Sequence, residues 1–418
     1  MVAHGRWIAA LLFAAGCASP PRPSLPPAPP APASFRIAAA DLDRDPRDVS
    51  GPEAAEDLDA AVRAFDQAYA GLDGLPRLPL PGTIAAVRAR LVARARWEPA
   101  ELAIELAALF RVPDGHLAFG YGGHAPLRLA AWPWIGGEGS SPAAPPSRRV
   151  ALAFPDGSAV AGAPGDPRGA VELVPGKVPR LVLRTLDSAA AAELERLPAL
   201  ARRLRAAPAF VVDLRGNGGG NYQYAERFVL ELTDARLARL GEREVVSAAA
   251  AAGRANSARR RLVRGEVPPG ARALFEDHIA ALEAEAAALE AEGGGRREIV
   301  TEGGVVRGLA PGPLAGRAVF LVDRGCASAC EMLLALARQI PGVVVAGEPT
   351  RGSMAAGELA LFRLPRSGVT VSLGTRGFRD PLGDFVETRG FLPDVPATGR
   401  GAEAEAERVA RSRGPAPK

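Results

Sequence analysis

The stretch Val211-Val212-Asp213-Leu214-Arg215-Gly216-Asn217-Gly218-Gly219-Gly220 constrains the fold more than any other in the chain. A short apolar run bounded by turn residues is a strand buried on both faces, as in a parallel sheet covered by helices. Here the run opens into glycines, which let bare backbone amides come close to a neighbouring group. Further along, the apolar run 318–322 leads to Cys326-Ala327-Ser328-Ala329-Cys330-Glu331, small residues where a helical pattern begins. A serine there lies at the positive end of a helix dipole, among first-turn amides that have no helical partner. Two such strand ends have the makings of an oxyanion-binding loop beside a nucleophile.

The totals limit the alternatives. With 418 residues, 48% of them hydrophobic and 23% charged, the chain is globular in bulk and long enough for well-filled cores. Its net charge of +4 is carried by arginine; the lysines are Lys177 and Lys418. The arginines are scattered among acids without a basic-aromatic motif, so no nucleic-acid partner is expected. The cysteines, Cys17, Cys326 and Cys330, form neither a disulfide framework nor a zinc pattern, and no metal or other cofactor is expected.

Along the chain, residues 1–17 read as a targeting segment. His4 and Arg6 precede a short apolar run, 7–15, that is too short to span a bilayer as a mature helix. Ala14-Ala15-Gly16-Cys17 resembles a bacterial lipoprotein signal, which implies acylation of Cys17 and a lipid-anchored protein facing the periplasm. Residues 18–35 are dominated by proline and make an extended spacer. Residues 36–112 carry helical periodicity and read as an N-terminal helical domain; 113–178 read as short strands and loops. From 179 to 400 strands alternate with helices in βαβ fashion, an α/β core, with 359–364 and 369–373 as a hairpin. Residues 234–300 interrupt this core as an inserted helical hairpin, either capping a site or lying on the surface, and 401–418 form a polar, partly helical tail.

Local sequence leaves Ser328 as either a nucleophile or a plain N-cap serine. Five motifs in order carry more information together: Asp114-Gly115-His116, the glycine loop at 213–220, Ala327-Ser328-Ala329 with Glu331, Gly347-Glu348-Pro349-Thr350-Arg351-Gly352, and Glu387-Thr388-Arg389-Gly390-Phe391-Leu392-Pro393-Asp394. From about residue 57 to 400 their order and spacing resemble the tail-specific (C-terminal processing) serine protease family. The resemblance implies a crotonase-like spiral ββα core and Ser328 as nucleophile. One branch of that family uses a lysine just after the Thr-x-Gly turn; here Ser353 stands there, and neither lysine of the chain suits the role. The pattern matches instead the tricorn-like branch, which implies His116 as base and Glu387 as the acid that supports it. In that branch a serine precedes the histidine, and here it is Gly115. Asp114 is a competing acid. His278 falls in the helical insertion and His124 in a loop.

The oxyanion donors are then expected from Ala329 and from one glycine of the pair Gly218 and Gly219. Arg215 and Glu331 are expected to be structural, the latter as a capping-box acid. Cys326 and Cys330 are either a local disulfide or, the favoured expectation, two buried small apolar residues. Residues 123–178 are too short and too weakly patterned to be read as a PDZ module. The expected function is a serine endopeptidase of the cell envelope acting on peptides or unfolded protein. The alternative is a catalytically inactive peptide- or ligand-binding lipoprotein on the same fold.

Overall fold

The computed structural model describes residues 35–110, 112–121 and 169–412. Cys17, the proline-rich stretch up to residue 34, His124 and the bulk of 113–178 lie outside the described residues.

Three helices open the described chain: α1 (Gly51–Ala68), α2 (Pro81–Ala93) and α3 (Pro99–Leu109). Helix α1 starts at a reciprocal cap in which Ser50 N–H donates to Glu53 and Glu53 N–H donates back to the Ser50 hydroxyl. Proline occupies the first turn of all three, where its missing N–H costs nothing. A short strand, β1 (Ala118–Gly120), follows. The chain continues through β2 (Val171–Val174), β3 (Arg180–Leu183), α4 (Ala191–Leu194), α5 (Leu197–Leu204), β4 (Ala209–Asp213) and α6 (Tyr222–Leu230). Next come β5 (Arg236–Ala238), β6 (Gly241–Val246), α7 (Ala248–Val263), α8 (Arg272–Ala291), β7 (Arg297–Thr301) and β8 (Val305–Arg307). The last part holds β9 (Arg317–Val322), α9 (Ala329–Ala337), β10 (Val343–Gly347), β11 (Ala356–Arg363), β12 (Thr370–Arg379), β13 (Val395–Pro396) and α10 (Ala402–Arg411). No described helix is long and apolar enough to cross a membrane.

One sheet has the order β13-β10-β9-β4-β3-β2, parallel throughout except for β2 at its edge. Its central strands are buried on both faces. Phe210, Val212 and Phe320 pack with α5, α6 and α9, while Val211, Val319 and Leu321 pack under α10 through Ala406 and Val409. That two-sided burial is why β4 and β9 read as unbroken apolar runs. The second sheet, β1-β12-β6-β7 with β11 also on β12, is antiparallel. The hairpin expected at 359–373 is its β11–β12 pair.

The N-terminal helices close the second sheet. Phe65 stacks on Phe110 at 3.9 Å between ring centroids, and both share a core with Phe119, Phe362 and Val371. Burying each such side chain contributes about 1.5–3 kcal/mol. Asp57 of α1, fully buried, accepts the amides of Arg366 and Ser367 in the β11–β12 turn. Because β1 pairs with β12, the loop joining α3 to β1 is delivered to the main body, and Asp114, Gly115 and His116 lie in it.

Residues 234–300 contain the two helices expected there, but also β6 and β7, which join the second sheet. Helix α7 is a core element, packing Gly253 onto Ala360 and Phe362 of β11. Its fully buried Asn256 accepts from Ile37 N–H and donates to the carbonyls of Phe35 and Leu361.

Candidate active site

The glycine loop leaves β4 under tight control. Arg215 forms a bidentate pair with Asp213, the structural role expected of it. Asp323, at the end of β9, accepts the amides of Gly216 and Gly325 and so ties the glycine loop to the serine turn. Asn217 is fully buried and does three things: its side chain donates to Leu183 O and accepts Gly219 N–H at 2.9 Å, and its carbonyl accepts Ala327 N–H at 3.0 Å. The sequence offered no sign of this role beyond a polar residue inside a glycine run.

Ser328 is the N-cap of α9, half-buried, with φ 56° and ψ −120°. A non-glycine residue there is held against its preference at a cost of about 1–3 kcal/mol. Strained backbone of this kind exposes a side chain at a sharp strand-to-helix turn. Gly219, at φ +95°, presses against this turn: a Cβ on it would lie 2.6 Å from Ala327 O, 2.8 Å from Ala329 N and 3.0 Å from Ser328 Cβ. The glycine loop and the serine turn therefore meet in space. Of the expected amide donors, Gly219 is committed to Asn217, which corrects its assignment; its part is close approach. Gly218, exposed at the loop tip, and Ala329, on the first turn of α9, remain.

Glu331 is more than a cap. It is fully buried, and its Oε2 accepts both Ser328 N–H at 3.0 Å and Ser353 N–H at 2.9 Å. Its Oε1 accepts the Thr350 hydroxyl at 2.6 Å and Gly352 N–H at 2.7 Å. Burial pushes its carboxyl above the usual range, and the four donors pull the other way.

Ser353 leads to the second group. Asp114, His116 and Glu387 offer ligating atoms within 4.8 Å of one another. His116 N–H donates to Asp114 Oδ1, and Glu387 accepts Gly115 N–H and Ala355 N–H, each at 2.9 Å. Burial first, and the Asp114 charge second, raise the Glu387 carboxyl to about 8. Tyr69, at the C-terminal cap of α1, borders the group, its phenol pushed up by burial and by Asp114. The loop carrying Glu387 is docked on the 350–353 turn by Thr388 N–H to Gly352 O at 2.6 Å and Phe391 N–H to Thr350 Oγ1 at 2.8 Å. A Cβ on Gly115 would lie 2.6 Å from Ser353 Cβ, so Ser353 fills the space that a side chain before His116 needs. One imidazole and two carboxylates are donor types that can hold a divalent cation. A cavity of about 380 Å³ opens beside Glu387, with Arg243, Phe378, Phe385 and Val386 among its walls.

Lys177 and His278 are exposed. Cys326 and Cys330 are joined in a disulfide, against the favoured expectation of two free thiols. The positive φ of Ser328 between them breaks helical continuity and brings their Cα atoms to 5.4 Å.

The profile of peptidase family S41 matches residues 181–397, just over half of the 418-residue chain. No curated protein matches in sequence. Among solved structures, the chain is similar to mature CPAF at 16% identity and TM-score 0.38, covering 58% of this chain and 53% of that one. It is similar to the photosystem II D1 C-terminal processing protease at 20% identity and TM-score 0.33, covering 59% and 51%. A lipoprotein from Streptococcus agalactiae matches at 12% identity and TM-score 0.41, covering 86% and 96%. The chain thus spans about half the length of the first two.

Proposed function

The chain belongs to peptidase family S41, and from that premise we propose that it is a serine endopeptidase of the tricorn-like kind, with a histidine in place of the lysine base. The observation that carries the reading is Ser328 at positive φ on a helix N-terminus, with Gly219 pressed against it. In the proposed reaction Ser328 Oγ attacks a peptide carbonyl carbon while His116 takes its proton. The oxyanion is held by the amides of Ala329 and Gly218. The tetrahedral adduct collapses, His116 passes the proton to the leaving amine, and an acyl-serine remains. Water, deprotonated by His116, releases the acid and restores Ser328. Glu387, once ionised, supports the imidazolium. Each such donor is worth about 10²–10³ in rate and a positioned base about 10²–10⁴.

We read the strand–helix repeats as a crotonase-like spiral core preceded by a helical domain. Cys17 is the proposed lipid anchor, which would put the body in the cell envelope facing peptide or unfolded-protein substrates. The test is hydrolysis of an unfolded protein by the purified chain. The proposal expects cleavage by the wild type and none by Ser328→Ala of equal thermal stability. Equal cleavage by both would reject Ser328, and a folded wild type that cleaves nothing and reacts with no serine probe would favour the peptide-binding alternative.

A further inference from the structure

The disulfide Cys326–Cys330 brackets Ser328, with Ala327 and Ala329 between. We propose that this bridge is a positioning device for the nucleophile: it holds the 326–330 turn in the form that keeps Ser328 at positive φ. The proposal rests on reading Ser328 as the nucleophile and adds to it the requirement that this chain be oxidised before its site exists.

The reasoning starts from what the turn would do unaided. Cys-Ala-Ser-Ala-Cys leads straight into α9, and alanine is the best helix former, so relaxation of Ser328 to the right-handed region would extend the helix backwards by a turn. That movement would carry the hydroxyl away from Gly219 and draw Ala329 N–H into the helical ladder. Single hydrogen bonds oppose it: Ala327 N–H to Asn217 O, Arg351 N–H to Cys326 O, and Ser328 N–H to Glu331. The bridge opposes it covalently, because it links the turn at Cys326 to the first turn of α9 at Cys330 in a five-residue ring. Few conformations close a ring that short.

Both cysteines are fully buried. A reductant therefore reaches them only when the chain opens, and the bridge acts as a fixed brace set during folding. Its formation removes two protons and two electrons from the thiols; the acceptor is a partner disulfide, which leaves as a dithiol. Such acceptors are available in oxidising compartments. A chain folded under reducing conditions would carry two thiols and a relaxed Ser328.

The test compares wild-type chain refolded with the bridge intact and after reduction by excess dithiol, alongside Cys326→Ala/Cys330→Ala. Each is treated with a fluorophosphonate, denatured, alkylated with iodoacetamide and mapped by mass at the peptide carrying Ser328. The expected result is phosphonylation on unalkylated, bridged peptide, with reduced and double-alanine forms reacting at least about tenfold more slowly, the scale of the strain being released. Hydrogen exchange at 326–332 gives a readout independent of chemistry: it should change in both unbridged forms, slowing at Ala329 as its amide joins the helical ladder, while β4 and β9 stay as protected as in the bridged form. Equal phosphonylation of bridged and alkylated peptide overturns the proposal, as does unchanged exchange at 326–332 upon reduction. If the bridged protein takes up no probe, the nucleophile reading fails on its own, and exchange alone decides whether the bridge holds the turn.

Discussion

Gly219→Ala separates the chemistry of the serine turn from its stability. The new methyl would lie 2.8 Å from Ala329 N and 2.6 Å from Ala327 O, inside normal contact, at a backbone φ of +95°. The conformational part costs about 1–2 kcal/mol. The methyl also covers the Ala329 amide, and loss of one oxyanion donor costs about 10²–10³ in rate, or roughly 3–4 kcal/mol of transition-state stabilisation. The assay is the second-order rate of fluorophosphonate labelling, read with a thermal melt on the same samples. Gly265→Ala is the control: its φ is +67° with no atom within 4 Å of the new methyl, so it carries backbone strain without a neighbour. Gly265→Ala should lower the melting temperature and label at the wild-type rate. Gly219→Ala should lower both, the labelling by at least about a hundredfold. If folded Gly219→Ala labels within about threefold of wild type, the Ala329 amide is not the donor and the oxyanion geometry argued above is wrong.

Other consequences concern the acids. Glu331→Ala leaves Ser328 N–H, Gly352 N–H, Ser353 N–H and the Thr350 hydroxyl without their shared acceptor. A loss of about 3 kcal/mol or more in denaturant unfolding is expected, and a loss under about 1 kcal/mol would mean the hub is not the tie between the two groups. Glu387 has its carboxyl raised from 4.5 to about 8, so the folded state holds the extra proton between those values. Stability from this group is fully present below the unfolded value and is lost as pH rises through about 8. Glu387→Gln should therefore melt with a flatter pH profile than wild type from pH 5 to 9 and gain on it at the alkaline end, while its labelling rate loses the rise near pH 8 that ionised Glu387 gives the wild type. Parallel profiles for the two proteins would refute the assignment.

The chain declares some of this in its sequence. The β4 and β9 strands were legible because two-sided burial demands unbroken apolar runs, and the glycine loop and Ser328 turn because backbone approach demands residues without side chains. What went unread depends on distant neighbours. β6 opens with half-buried Gly-Glu-Arg-Glu before two buried valines, and β7 is exposed throughout, so neither reads as a sheet strand until β12 is seen beside β6 and β6 beside β7. Asn217 reads as one more loop residue until Leu183 and Ala327 come within reach of it. The cysteine spacing of four fits a helix or a bridge, and only the turn seen in space, with Ser328 at positive φ between the two sulfurs, decides between them. The need for glycine at 115 is visible only in space: Ser353 holds the volume that a side chain there would take.

The central claim is that Ser328 is activated by His116, brought from the N-terminal part of the chain by the pairing of β1 with β12. Fluorophosphonate labelling of the mature, oxidised protein and of Ser328→Ala and His116→Ala tests it most directly. Labelling of the wild type, its abolition in Ser328→Ala and a fall of about 10²–10⁴ in His116→Ala are expected. Labelling of His116→Ala at the wild-type rate, with its fold intact, would contradict the claim.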